Sequence, residues 1–143
     1  MPIQFLDQRV SSFAPAAPVV IPTTPLLVGD IGLQTASVLP ENAGDIRVEL
    51  NCLIDAPLTA AVAAVLYTIV VAREGTPIYT RILLGAQLAA QPFGFTVVDY
   101  QPPAPVDGEI QYTVTIAAAS LHTTETVARV EFAGSAAAGT TTG

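Results

Sequence analysis

Residues 58–84 read LTAAVAAVLYTIVVAREGTPIYTRILL, and this stretch decides the fold. Within it, residues 61–71 carry one side chain that is not apolar, Thr68, and β-branched residues stand at 62, 65, 68, 69, 70 and 71. Eleven residues are too few to span a membrane as a helix, and such dense β-branching favours a strand over a buried helix. The sequence Arg73-Glu74-Gly75-Thr76-Pro77 supplies a turn, with Gly75 free to take φ > 0 and Pro77 at the start of the returning strand, 78–84. The hairpin lacks the polar alternation of a half-exposed antiparallel strand: both phases of 61–71 are apolar. Both faces therefore need cover. One face fits the domain's own core, and the other is covered either by the chain's own loops or by a neighbouring subunit.

Outward from this hairpin, strands recur. Residues 31–39 form a first one, followed by turn chemistry at Pro40-Glu41-Asn42-Ala43-Gly44. Residues 45–54 alternate, with Ile46, Val48, Leu50, Cys52 and Ile54 inward and Arg47, Glu49 and Asn51 outward. Residues 93–100 make another strand, with Gly94 a candidate bulge. After the turn QPPAPVDG, residues 109–117 alternate again, and 126–133 close the series. Seven or eight strands at spacings of about 8–14 residues, with no convincing helix, predict an all-β fold: a single jelly roll or β-sandwich of antiparallel strands.

The ends read differently. Residues 13–29 hold Pro15, Pro18, Pro22 and Pro25, which exclude helix and central strand and favour an extended backbone. Residues 1–12 scatter Ile3, Phe5, Leu6 and Val10 too thinly to fold alone. The expected organisation is a docking peptide and Pro-rich connector over 1–29, a jelly-roll domain over 30–134, and a small-residue tail over 135–143 that is mobile. In that reading Ile3, Phe5, Leu6, Val10 and Phe13 anchor the arm in a neighbour, and the four prolines are its spacer. Val65, Tyr67, Ile69, Tyr112 and Phe132 are candidates for a trimer or subunit interface.

Composition narrows the function. Of 143 residues 51% are hydrophobic and 12% charged, the latter about half the usual share. All five basic residues are arginine, and twelve acids leave a net charge of −7. No basic patch is available to release counterions from phosphates or to meet an anionic membrane, so neither nucleic acid nor membrane is an expected partner. Without lysine, no Lys–Asn isopeptide cross-link can form. The lone Cys52 permits no intrachain disulfide and reads as a small buried hydrophobe or, alternatively, an intersubunit bridge. Residues 1–12 have no basic region followed by an apolar run, so no secretory signal is expected.

No enzyme is expected, and no cofactor. His122 lies near Ser120, but no Gly-x-Ser-x-Gly elbow accompanies it. Asp99, Asp107 and Glu109 flank one loop without calcium-loop spacing, so turn solvation is their expected role and no metal site is read.

The run VLYTIVVAREGTPIYTRIL, then FTVVDY, PVDGEIQYTVTIAA and VARVEFAG, resembles the TNF-like jelly-roll domains of bacterial spore-surface proteins. The shared features are the Arg73-to-Ile78 turn and the strand Tyr112-Thr113-Val114-Thr115-Ile116. The likeness covers about residues 30–134. Collagen-like repeats are missing, and the Pro-rich arm is closer to the subunits of spore appendage fibres, in which an N-terminal peptide docks into the preceding subunit. The resemblance implies a homotrimer stacked into a non-covalent filament, extracellular on a spore or cell surface, with a surface anchor protein as a further partner. A trimeric ligand-binding or adhesin head and a small jelly-roll capsid protein are the alternatives.

Overall fold

The computed structural model describes residues 3–57, 65–89, 92–100, 102, 108–121 and 126–139. Among the described residues ten strands run in chain order: β1 (Gln4–Phe13), β2 (Val19–Val20), β3 (Leu26–Gln34), β4 (Ile46–Asp55), β5 (Leu66–Arg73), β6 (Thr76–Leu84), β7 (Phe93–Tyr100), β8 (Glu109–Ala118), β9 (Thr126–Val127) and β10 (Arg129–Ala138). A 3-10 turn spans Pro40–Asn42, and a short helix, α1, covers Gly85–Ala89, in a chain whose sequence predicts no convincing helix.

All pairings are antiparallel. One sheet has the order β1-β10-β4-β7 and the other β3-β8-β5-β6, with β2 and β9 as a separate pair. Setting that pair aside, the eight long strands run first-eighth-third-sixth in one sheet and second-seventh-fourth-fifth in the other. Only β5 and β6 are consecutive neighbours, and every other connection crosses between sheets. This is the strand order of a jelly roll, the doubled Greek key that wraps two sheets around one core.

The expected alternation places side chains correctly. Ile46, Val48, Leu50, Cys52 and Ile54 of β4 are buried, as are Ile110, Tyr112, Val114 and Ile116 of β8. In the β5–β6 hairpin Glu74 (φ 48°) and Gly75 (φ 81°) both have positive φ, as the tight turn that matches strand twist requires. Burying the inward residues of two four-stranded sheets stabilises the sandwich by roughly 1.5–3 kcal/mol for each large side chain.

Three expectations are corrected. Residues 4–13 are not a free arm: they form β1, paired with β10 of the same chain from Gln4↔Ala138 to Phe13↔Val130. The domain therefore does not begin at 30. Residues 135–138 are not tail but the end of β10, and residues 140–143 lie outside the described part. Small residues are needed here because the sheets converge: a Cβ on Gly134 would come within 2.5 Å of Ile31 Cδ1 and 2.9 Å of Leu50 Cδ2. Ala136 and Ala138 beside it are fully buried. Finally, Tyr67, Ile69, Tyr112 and Phe132 are fully buried inside this chain's own core, so they cannot meet a partner, while Val65 is partly buried against that core. The sequence reading of 61–71 is described only from residue 65 onward.

Candidate assembly surface

The first sheet is bounded by β1 on one side. None of its ten residues is buried. Leu6 and Phe13 pack against the core, whereas Ile3, Phe5 and Val10 are 51%, 65% and 67% exposed. The five residues read as arm anchors thus divide: two close the sandwich and three face solvent. A bulge between Phe5 and Asp7 lets Leu6 turn inward without flipping the rest of the strand.

Polar contacts join these apolar ones in holding β1 across the open side of the sandwich. Asp7 Oδ2 accepts the backbone N–H of Gln34 at 2.8 Å and Arg9 Nε at 2.9 Å. The N–H of Gln34, followed by Arg9 and the N–H of Gln8, holds the Asp7 carboxyl below its usual value against the opposing effect of burial. Ser11 Oγ accepts the N–H of Asp30, and Ser12 Oγ donates to Glu131 Oε1 at 2.9 Å. Arg129 and then Ser12 likewise lower the Glu131 carboxyl. Gln4 donates to Ser37 O and accepts the N–H of Leu39.

The connector divides in the same way. Ile21 is fully buried, Val19–Val20 pair with Thr126–Val127, and Pro22 O accepts the N–H of Ala118 at 2.8 Å. From residue 19 onward, therefore, the segment covers its own domain. Residues 14–18, which contain Pro15 and Pro18, connect β1 to that segment. Pro25 is exposed just before β3.

One buried polar group ties the two sheets together. Arg73 Nη1 of β5 donates to both oxygens of Asp99 on β7, at 2.7 and 2.8 Å. The hydroxyl of fully buried Tyr112 on β8 donates to Asp99 Oδ2 at 2.7 Å. Burial, then the Asp99 hydrogen bond, pushes the Tyr112 hydroxyl well above its usual value. Asp99, read as a solvated turn acid, thus belongs to a structural lock. Its signal in the sequence is its place in the inward phase of β7 with Phe93, Phe95 and Val97. Glu109 accepts Gln34 Nε2 at 2.6 Å, while Asp107 and His122 lie outside the described residues. Cys52 is buried, and burial pushes its thiol up to about 12, which suppresses the reactive thiolate.

On the outer face of the first sheet, a shallow depression of about 430 Å³ is lined in part by Val10, Asn51, Leu53, Thr96 and Glu131. Among the described residues no group of three potential metal ligands converges, and no helix is long and apolar enough to cross a membrane.

No protein-family model matches the sequence, and none of the curated proteins matches it. Among solved structures the chain is similar to dimeric latent PorU from Porphyromonas gingivalis, with a TM-score of 0.43 and 7% identity over 92% of this chain and 13% of that one. It is similar to the C-terminal domain of EclA, a sugar-binding protein, with a TM-score of 0.43 and 7% identity over 88% of this chain and 74% of that one. A third similarity is to Desmodium yellow mottle tymovirus, at 0.38 and 9% over 96% and 80%. The chain spans far less than two thirds of PorU. At these identities and TM-scores the likenesses carry neither a family nor an activity to this protein.

Proposed function

We propose that this chain is a structural subunit of an extracellular filament, of the kind carried on spore surfaces, and that it polymerises without covalent links by strand exchange. In the exchange β1 leaves its own β10 and takes the same place on the β10 of a neighbour. The observation that carries this reading is β1 itself: an edge strand with no buried residue, joined to the body by the five-residue, two-proline hinge 14–18. The hydrogen bonds broken on one chain are remade on the next, so exchange is nearly neutral in enthalpy, and a short stiff hinge favours it. Passing the strand on from chain to chain gives a heterologous contact that does not close, and hence a fibre. The three-fold unit implied by the resemblance is compatible with this mechanism but not required by it. A surface anchor protein at the fibre base completes the proposed partners.

A covalent lock tests the mechanism. Val10 and Ala133 are direct cross-strand partners. Opposed strand residues lie about 4.5–5.5 Å apart, within disulfide range. In Val10→Cys/Ala133→Cys oxidised as dilute single chains, electron microscopy should show no fibres, and reductant should restore them. Cross-linked after assembly, the same variant should give a ladder on a non-reducing gel. Fibres formed equally well by chains locked within themselves would contradict the mechanism.

A second reading, a ligand-binding head, rests on the depression beside Asn51 and Thr96. The jelly roll also serves lectin and capsid domains, and the fold does not choose among them.

A further inference from the structure

β1 is tied by its backbone to β10 and by its side chains to the backbone of a second strand. β3 is an edge of its sheet, hydrogen-bonded to β8 alone, and the N–H groups of Asp30 and Gln34 point to β1. Free N–H groups along an edge invite a foreign strand. Here Asp7 Oδ2 accepts the N–H of Gln34 at 2.8 Å, and Ser11 Oγ accepts that of Asp30 at 3.3 Å. Gln4 continues the series on the loop after β3: its Nε2 donates to Ser37 O at 2.9 Å, and its Oε1 accepts the N–H of Leu39 at 3.1 Å. The contacts Gln4–Ser37, Asp7–Gln34 and Ser11–Asp30 keep one antiparallel register, each step forward along β1 matched by an equal step back along β3 and its loop. Two acceptors four residues apart thus face two donors four residues apart. Midway between the acceptors stands Arg9, its Nε held by Asp7 Oδ2 at 2.9 Å.

We infer that the slot between β10 and β3 reads the side chains of the strand that fills it, and that it accepts the pattern Gln-x-x-Asp-x-Arg-x-Ser, residues 4–11, in this register alone. The ladder to β10 does not make that choice, because it joins backbone to backbone, and Ala133, Gly134 and Ala137 opposite β1 are small. A slip of one residue sends the exposed Phe5 and Val10 to the inner face. A slip of two keeps the faces, and there Arg9 decides. In one direction it is carried onto the N–H of Gln34, in the other onto that of Asp30. A guanidinium has donors and no acceptor, so donor then meets donor and the N–H loses its bond. Asp7 and Ser11 select the register and Arg9 rejects its neighbours, attraction and repulsion together, as specificity requires. The contacts that read β1 lie within one chain. Their consequence between chains rests on the strand exchange proposed above: the strand admitted from outside is β1 of another copy, and a strand without the pattern is refused.

Residue-resolved amide exchange by NMR on the dispersed full chain tests the slot directly. Asp7→Ala should speed exchange at the N–H of Gln34 by about tenfold, the worth of one hydrogen bond, with a smaller effect at Asp30. Ser11→Ala should do the reverse, and Asp7→Asn, which keeps an acceptor, should restore most of the protection at Gln34. The swap Asp7→Arg/Arg9→Asp keeps composition and net charge but sets a donor against Gln34. It should speed exchange along 4–13 by about tenfold or more while 66–73 stays protected, which shows the core folded. Phe5→Ala, in the same strand, should leave Gln34 and Asp30 as protected as in the parent. Mixed with parent chains, fluorescently labelled swapped chains should stay out of the fibres that labelled Phe5→Ala chains enter. Unchanged protection of Gln34 and Asp30 in the alanine variants, or of 4–13 in the swapped chain, overturns the inference. So does a swapped chain that enters fibres as readily as Phe5→Ala. A parent that forms no fibres at all defeats strand exchange, and the amide measurements still decide what the slot reads.

Discussion

β1 and β5 are both strands of one jelly roll, yet they are held in opposite ways. β5 lies inside its sheet, hydrogen-bonded to β6 and β8, with Tyr67, Ile69 and Val71 fully buried. β1 lies at an edge, bonded along one side only, with no buried residue and a set of polar contacts to β3 and to the loop before β4. β5 is fixed by burial, which is lost only when the core opens. β1 is fixed by a ladder that any identical β10 offers equally well. A jelly roll can therefore keep its core while one strand changes chains, and stability and assembly need not draw on the same residues.

The contrast breaks most sharply under side-chain truncation. Phe132→Ala, beneath both sheets, should cost about 3–5 kcal/mol in denaturant unfolding, because it leaves a cavity where the sheets converge. Phe5→Ala on exposed β1 should stay within about 0.5 kcal/mol of the parent. Equal costs would mean that β1 is part of the core after all.

Next in size is the lock between the sheets. Asp99→Ala leaves Arg73 and the Tyr112 hydroxyl without their shared acceptor and should cost about 3 kcal/mol by the same measurement. Asp7→Ala, which removes the corresponding acceptor on β1, should change global stability far less and act on the attachment of β1 alone.

A smaller effect comes from acid. The Asp7 and Glu131 carboxyls are both held below their ordinary values of 3.8 and 4.5 by contacts that fasten β1 and its β10 partner. For groups with depressed values, the stabilisation is fully present above the ordinary value and lost as pH falls through the lowered one. Lowering the pH from 6 to 3 should therefore loosen β1 before β5. Amide signals along 4–13 should broaden or shift first in an NMR titration, and simultaneous change along 66–73 would argue against separate fastening.

The sequence made the core strands legible because burial on one face writes a period of two. β4 and β8 alternate without interruption, and the Glu74-Gly75 turn fixes the hairpin register. β1 was not legible for the same reason reversed. With no buried residue and a bulge at Leu6, its apolar side chains scatter and resemble a peptide awaiting a partner. The end of β10 was hidden by composition: Gly134, Ala136 and Ala138 read as a loose tail, although close approach of the sheets requires them to be small. The misplaced interface residues Tyr67, Ile69, Tyr112 and Phe132 show a limit of periodicity, which tells one phase from the other but not an inner face from an outer one. The lock at Asp99 left a trace that was available, a charged residue in the inward phase of an apolar strand.

Hydrogen exchange followed by mass spectrometry on the full chain, with β1 and β5 read in the same experiment, tests the central claim most directly. Peptides covering 4–13 should exchange through local opening, orders of magnitude faster than those covering 66–73, which should exchange only with global unfolding. The Val10→Cys/Ala133→Cys lock should erase that difference. Equal protection of β1 and β5 in the unlocked chain would contradict the account, because a strand that opens only with the whole fold cannot be exchanged between folded subunits.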